Sequence, residues 1–546
     1  MVQKIKSLPF SDFLLLGALL ALGGFHEYIS CILCVAMGIR LLTGKEKKLQ
    51  LPADPLSFGV LALCIGYASV CLWAVDKGMA FVGFLKFLPL LLFLVCRAKE
   101  KQDSKLLPLL PYVGAAMTVI SAIGMLIPGT KELFSVADRL SGFFQYPNAF
   151  AIFLLICQLL LWEKKDRRPW DYLTVAVLLG GLLYTGSRTA FAIAVVANVA
   201  MLLTAVKKKL PALLTLAGVA LCAALVIFLF RENPVIGRFL RFSLTESTFA
   251  GRLLYMADAL PLLLKYPFGM GYMGYSFVQQ SVQTGLYAVT YVHNDFLQLV
   301  LDVGLVYTLP FVLGLGHWFF RKEVHPGRKI MVAALCLHCL MDFDLQYIGI
   351  FLLLLVLTET APDKKPIKLP TWSMAPVSLC ALYMAIALGL GTFGLHNASV
   401  ALYPGNTVSS LQLLEEATDA KEASDIADRI LKTNKKYFAP YSAKAKYAAS
   451  QGDFATLIKN KQKVFALNPF AYEEYEEYCQ MLITGISLYE KKGDAQSAEV
   501  CRKELKNTLA LLERNEKRLS KLGKIIEDQP VTKLPEDIED YIRKLK

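Results

Sequence analysis

One histidine stands where an apolar stretch begins, in Tyr291-Val292-His293-Asn294-Asp295-Phe296-Leu297-Gln298. Histidine exchanges a proton near neutral pH, so His293 could take the proton of an attacking hydroxyl. Asp295, Gln298 and Asp302 follow at helical spacing and predict a polar stripe along an apolar helix. In the plainer reading, the histidine is only a hydrogen-bonded structural residue. The second set of candidates is arginine: Arg139, Arg188, Arg231, Arg238, Arg241 and Arg252. Arginine keeps its charge and offers a planar fork of donors that matches phosphate oxygens. The plainer reading pairs some of them with Asp138, Glu232, Glu246 and Asp258, or with lipid headgroups. Three have more pointed settings. Arg188 follows Gly186-Ser187 between two apolar stretches, Arg139 precedes Ser141-Gly142, and Arg252 follows Gly251 at the start of the amphipathic stretch Leu253–Leu264.

The elements that must hold these residues follow from composition. The chain has 546 residues, 55% of them hydrophobic and 19% charged, with mean hydropathy +0.46. Soluble domains carry roughly 25% charged residues, so this is not one, and disordered, collagen-like and coiled-coil classes are excluded too. Apolar runs suited to spanning a bilayer lie at about 11–25, 26–43, 55–75, 78–96, 106–127, 147–162, 171–186, 189–206, 210–230, 291–320, 330–342, 347–360 and 372–395. The expected fold class is all-α: a polytopic helical membrane protein of about 13 spans with an extracytoplasmic helical tail.

Charge sets the orientation. The net charge of +13 falls almost wholly before His396, where 34 basic residues face 22 acidic ones; the tail holds 24 and 23. That distribution points to membrane topology rather than nucleic acid. Lys4 and Lys6, Lys45–Lys48, Arg97–Lys105, Lys164–Arg168, Lys207–Lys209, Arg321–Lys329 and Lys364–Lys368 fall on one side if every span crosses. The positive-inside rule makes that side the cytoplasm, with the N-terminus inside and the tail outside the plasma membrane. The first apolar stretch runs straight into the second without a small-residue cleavage site, unlike a signal peptide.

Two outer loops result, at about 128–146 and 231–290. The second is long, broken by proline and glycine, and rich in aromatics such as Phe268, Tyr272 and Tyr275, which suit a membrane interface. The outward cations are mostly arginine although the inward ones are mostly lysine, so an anionic, phosphate-bearing, lipid-linked ligand is expected there. Cys336-x-x-Cys339 around His338 reads as helix packing rather than half a zinc site. Asp342 and Asp344 read as a structural or acceptor-side pair rather than a metal site. Lys86 is an exception to the sparse mid-membrane charge.

The expected domains are 1–395, membrane-embedded, and 396–546, outside and helical. In the tail, Gly452-Asp453-Phe454 with Leu457, Val464 and Leu467-Asn468-Pro469 resembles the second helix of a tetratricopeptide repeat, and Gly493-Asp494 with Ala498 a further start. A plain bundle of helical hairpins is the alternative. The run Tyr472-Glu473-Glu474-Tyr475-Glu476-Glu477-Tyr478 is either a binding surface or helix packing. Cys479 and Cys501 could pair if facing helices bring them together.

Four places resemble the O-antigen ligase and Wzy-type polymerase superfamily: Arg139-Leu-Ser-Gly142 with Pro147-Asn148-Ala149; Gly186-Ser187-Arg188-Thr189; Gly251-Arg252 with Pro267-x-Gly269-x-Gly271; and His293-Asn294 with Gly304 and Tyr307. The likeness covers about residues 10–360. It implies a membrane glycosyltransferase that moves an undecaprenyl-diphosphate-linked glycan to a glycan, lipid or protein acceptor, without nucleotide sugar, metal or other cofactor. It implies Arg139, Arg188 and Arg252 around the diphosphate and His293 near the acceptor, with Arg188, Arg252 and His293 carrying catalysis. Asn294 and Tyr272 complete the expected substrate contacts. An envelope protein could bind the tail. The alternatives are protein O-oligosaccharyl transfer and, in another class, a polysaccharide transporter or flippase, which would line a central path with charge.

Overall fold

The computed structural model describes residues 8–44, 48–100, 104–164, 166–205, 217–218, 221, 224–225, 228–239, 247–359, 367–526, 528–531 and 533–545. Lys4, Lys6, Lys45, Lys207–Lys209, Arg241, Glu246, Lys364 and most of the expected span 210–230 lie outside them. The protein is all-α. Among the described residues the only sheets are two two-stranded ladders, Lys48–Leu51 with Ile367–Pro370 and Ser135–Val136 with Arg139–Leu140, both antiparallel. The chain forms two compact units: residues 1–68, 82–243 and 293–386, and residues 69–81, 244–292 and 387–546.

The first unit is built on apolar helices. Among the described residues, Lys77–Glu100 and Met374–Thr392 are long and apolar enough to cross a bilayer, and seven shorter apolar helices accompany them. Helix Pro147–Glu163 is buried at every residue from Pro147 to Leu161, and Ile348–Leu357 along its whole length. A helix that is apolar all round belongs inside a bundle. Lipid is as apolar as leucine, so close packing must hold such helices together. Gly59 and Gly314 show how: a Cβ on Gly59 would lie 2.5 Å from the Phe311 backbone, and one on Gly314 2.7 Å from the Leu56 backbone.

The stretch expected as one span at 291–320 is two helices, Asp295–Val303 and Leu305–Phe320. Gly304 separates them at φ 84° and ψ 162°. Only glycine tolerates this backbone, so the hydrophobic run cannot continue as one helix.

Polar contacts in this unit gather at opposite ends of the apolar helices. At one end Arg97 reaches Glu359 (2.5 Å) and Asp12 (3.3 Å), and Asp12 accepts from the Lys105 and Leu106 amides. Lys164 pairs with Asp171 (2.6 Å), and Arg328 with Glu163 (3.4 Å). In the ladder, Gln50 stands opposite Lys368. At the other end lie Arg139, Asn148, His293 and Asp342. Asn148 and Glu163 stand near the two ends of one helix, fifteen residues apart, a separation of about 22 Å. Lys86, fully buried, lies 3.6 Å from Glu27 and over the Phe25 ring.

The second unit joins the large loop to the tail. Helix Ser247–Lys265 carries Leu260 and Leu264 exposed on one face, with Phe268 just beyond. Its Asp258 accepts from the Thr284 amide (2.8 Å), the Thr284 hydroxyl (2.7 Å) and the Tyr287 hydroxyl (3.1 Å). Burial outweighs these three donors and leaves the Asp258 carboxyl above its ordinary pKa. The tail closes onto this loop where Ser520 N donates to Thr284 O and Arg518 Nη2 to Ser281 O. Asp76 caps the helix at Met79 N and accepts from Asn434 Nδ2 (3.2 Å), both residues fully buried.

The tail is a series of helical hairpins. Ala439–Ser450 turns into Phe454–Leu467, and Tyr472–Lys491 into Ala495–Lys517. Asp453 and Asp494 cap the second helix of each pair by accepting from Thr456 N and Ser497 N. The pairs are unequal, with helices of 12 and 14 residues against 20 and 23. The acidic-aromatic run proves to be packing: Tyr475 and Tyr478 are buried, and Tyr475 stacks on Phe465 at 4.0 Å. Cys479 and Cys501 are buried free thiols in that same core.

Lys461, fully buried, holds Glu474 (2.6 Å) and Glu477 (2.8 Å) beneath this run. Burial alone would raise the Glu477 carboxyl; Lys461 and Lys446 outweigh it and hold the group below its ordinary value of 4.5. A carboxyl lowered by folding contributes stability above pH 4.5 and loses it as pH falls through the lowered pKa. Lys461→Met should cost about 3 kcal/mol, because it removes the buried cation that Glu474 and Glu477 share and leaves them only Ser442 and Lys446. Hydrogen exchange should therefore quicken in Phe454–Leu467 and Tyr472–Lys491 near neutral pH, and the difference from wild type should shrink on acidification.

Candidate functional site

Asp342 is the meeting point of three chain segments. It is 1% exposed, yet its carboxylate is well supplied with donors. The Tyr146 hydroxyl donates to Oδ1 at 2.8 Å and Asn148 Nδ2 to Oδ2 at 2.7 Å. The Phe343 amide donates to Oδ1 at 3.0 Å. His293 Nδ1 stands 3.4 Å from the same oxygen. The Phe343 ring meets the imidazole edge-on at 5.0 Å and stacks on Tyr146 at 4.7 Å. The Phe343 ring, itself backed by Tyr146, and the Asp342 carboxylate thus flank His293.

The backbone of His293 is itself unusual, with φ 54°. A non-glycine residue in the left-handed region costs of order 1 kcal/mol and marks a constrained site. Immediately after it, Asn294 Oδ1 accepts from Leu297 N at 3.0 Å and starts helix Asp295–Val303. The turn presents the imidazole at the helix end: its side chain is 18% exposed while Nδ1 is shielded. If Nδ1 carries the proton toward Asp342, Nε2 is left as the base.

Asn148 extends the network to an arginine. Its Oδ1 accepts from Arg139 Nη2 at 2.7 Å, and Arg139 Nε donates to the Thr185 carbonyl, also at 2.7 Å. Arg139 leaves the short hairpin Ser135–Val136/Arg139–Leu140 and lies across Gly186, where a Cβ would stand 3.4 Å from its Nε. That same turn opens helix Arg188–Ala205, whose first residue is Arg188. The structure therefore gathers Arg139, Arg188 at the adjoining helix start, and His293 with Asp342 at one end of the first unit.

The other expected site residues have different settings. Arg252 lies in the second unit, in the early turns of helix Ser247–Lys265. Tyr272 is in that unit too, 1% exposed, its hydroxyl 3.0 Å from that of Tyr291. The oxygen of Asn294 is committed to capping. Of the remaining outer arginines, Arg231 pairs with its neighbour Glu232 and lies over Phe228, as the plainer reading has it. Asp138 pairs with Lys131 rather than with an arginine.

The polar stripe after His293 faces inward. Asp295, Gln298 and Asp302 are all buried; Gln298 Nε2 donates to Asp302 Oδ1 (2.8 Å), and the Tyr67 hydroxyl to Oδ2 (2.9 Å). Beside it Asp295, Cys339 and Asp344 are close enough to share a cation. Protein donors already serve part of this set: Leu345 N reaches Asp295 Oδ2 (2.9 Å), and His338 Nδ1 lies 2.5 Å from Asp344 Oδ2. Cys336 is outside the cluster, so the Cys-x-x-Cys spacing is not what brings it together.

Sequence reasoning undervalued Asp342 and passed over Tyr146 and Phe343. The available signal was position: Tyr146 precedes Pro147-Asn148, and Asp342-Phe343 closes an apolar helix on the same expected face as His293.

Apolar helices, two of them long enough to cross a bilayer, with arginine and histidine gathered at one end, fit the class of membrane-embedded proteins. Within that class, the family model of O-antigen ligase matches residues 173–312. The chain thus carries an O-antigen ligase domain, which supports its membership of the O-antigen ligase and Wzy-type family and a glycosyltransferase of ligase or polymerase type in surface polysaccharide biosynthesis. The match includes Arg188, Arg252, Tyr272 and His293; Arg139, Asn148 and Asp342 lie outside it. No curated protein matches the chain.

Gly304→Ala tests the break that sets the helix behind His293. The alanine cannot hold φ 84° without strain of about 1–3 kcal/mol. A lowered unfolding temperature in detergent is expected, with faster exchange confined to the Asp295–Val303 region.

Proposed function

We propose that this chain transfers a polyprenyl-diphosphate-linked glycan, undecaprenyl being the expected lipid, to an acceptor hydroxyl at the outer face of the plasma membrane. The observation that carries this reading is the chain of contacts from Arg139 through Asn148 and Asp342 to His293. It couples a phosphate-binding side chain to a general base across one buried carboxylate.

In the proposed mechanism, His293 Nε2 accepts the proton of the acceptor hydroxyl as its oxygen attacks the anomeric carbon. Asp342 holds the imidazole and stabilises the imidazolium that forms. The bond between that carbon and the phosphate oxygen breaks in the same in-line displacement, inverting the carbon, and the electron pair leaves with the diphosphate. Arg139 and Arg188 stabilise the charge that develops there, in place of a metal ion. The position of Arg188 supports its role. A cation at a helix N-terminus opposes the helix dipole by about 0.3–1 kcal/mol, and a bound anion removes that conflict. Asn294 and Tyr272 act by positioning, through the helix cap and the Tyr291 hydroxyl.

The orientation, with N-terminus inside and tail outside, is supported by the basic residues described at the helix ends away from His293: Arg97, Lys105, Lys164 and Arg328. The polar contacts at both ends of the same apolar helices support a multi-pass arrangement.

The test uses protein reconstituted in lipid, an undecaprenyl-diphosphate oligosaccharide donor and extracted acceptors. His293→Ala should lower transfer by at least about 100-fold, the usual worth of a general base. Asp342→Asn should lower it less and shift its pH profile. Wild-type rates in His293→Ala would overturn the general-base role. A ladder of products marks a polymerase, and single additions mark a ligase.

A further inference from the structure

The second unit contains a groove of about 710 Å³ that the transfer mechanism does not use. It runs between the large loop, at Phe277, and the first tail helices, Thr407–Glu416, Ala420–Thr433 and Ala439–Ser450. Its size is that of small-ligand sites. Tyr437 and Phe277 form a corner of two rings, 5.8 Å apart at 70°. Phe277 is buried, whereas Tyr437 is partly open to the groove. Gln412 and Glu415, one helical turn apart, also line the groove. Both are exposed. Glu415 lies near enough to Tyr437 to add to the upward push that burial gives its phenol.

The chemistry of this lining selects among ligands. Aromatic faces beside amide and carboxylate side chains suit a sugar ring, which has an apolar C–H face and a polar hydroxyl edge. The carboxylates Glu415, Asp419 and Glu474 oppose the lone cation Lys446 among the lining residues. Asp419 is occupied as a helix cap and Glu474 by Lys461, and Lys446 is turned to Glu477. Glu415 and Gln412 have no hydrogen-bond partner among the described residues and remain for a ligand. The groove repels anions and offers acceptors to hydroxyl or ammonium donors.

We propose that this groove is a saccharide subsite that holds a neutral or amino-bearing stretch of the glycan and discriminates against acidic glycans. The proposal rests on the glycan-transfer reading and adds a second, non-catalytic hold on the chain.

The experiment uses the full-length protein in nanodiscs and, as probe, delipidated surface polysaccharide fragments released from cells that make the protein. Binding is read by saturation-transfer NMR and by thermophoresis. Fragments should bind, and Tyr437→Ala should weaken binding about tenfold, in the range of an aromatic anchor. Tyr437→Phe should keep most of it, which separates a lost ring from a misfolded tail. Glu415→Lys should admit oligogalacturonate, which wild type should bind at least about tenfold more weakly than neutral fragments. In the transfer assay, Tyr437→Ala should raise KM for the glycan chain and shorten the products. No fragment binding, equal binding of oligogalacturonate, or wild-type affinity in Tyr437→Ala overturns the subsite. Displacement of bound fragments by unrelated peptides would recast the groove as a protein-docking surface and overturn it too. Absence of transfer in wild type, with fragment binding and its loss in Tyr437→Ala intact, overturns the transfer reading and leaves the subsite standing.

Discussion

A carboxylate buried to 1% exposure has to be surrounded by donors, and the first unit is organised around that demand at Asp342. Stripping a carboxylate of water costs several kcal/mol unless hydrogen bonds replace it. Tyr146, Asn148 and the Phe343 amide supply those bonds, the first two from nearly two hundred residues away in the chain, and His293 Nδ1 stands 3.4 Å from the same carboxylate. Satisfying Asp342 brings His293 and Asn148 together, and Asn148 in turn brings Arg139. The requirement that stabilises the helix ends is the same one that brings the proposed base, His293, and the proposed phosphate-binding Arg139 to one end of the unit.

The rest of the unit makes this demand effective. Helices Pro147–Glu163 and Ile348–Leu357 are buried throughout and fix the distance between two polar ends. Polar networks at one end are rich in lysine, arginine and glutamate pairs, and at the other in arginine, histidine and aspartate.

The second unit solves a different problem. A loop of some sixty residues would be costly to order by itself. It is tied down through Asp258 with Thr284 and Tyr287, and through Thr284 and Ser281 with the tail. The tail in turn grips Asp76 through Asn434. The groove at Phe277 and Tyr437 exists because loop and tail share this core.

The sequence by itself determined the helical class, the apolar segments, the alternation of lysine-rich loops and the identity of the arginine and histidine candidates. These are local properties: hydropathy over twenty residues, charge between runs, and short motifs such as Gly186-Ser187-Arg188. It also contained the break at Gly304, as a residue but not as a break, because glycine is tolerated in many helices and only the surrounding packing imposes φ 84°. What the tertiary structure alone decided is pairing. Asp342 read as one of two unremarkable acids until Tyr146, Asn148 and His293 converged on it. Sequence set Arg139 apart from Arg231 by its motif but named no partner for it; in the structure Arg231 pairs with its neighbour and Arg139 with Asn148 and Thr185. The tyrosines at 475 and 478 could have faced solvent, but Phe465 and the buried Lys461 below them turn that face inward. Partners far apart in the chain leave no local trace, so the choice among equivalent charges is made only when the helices pack.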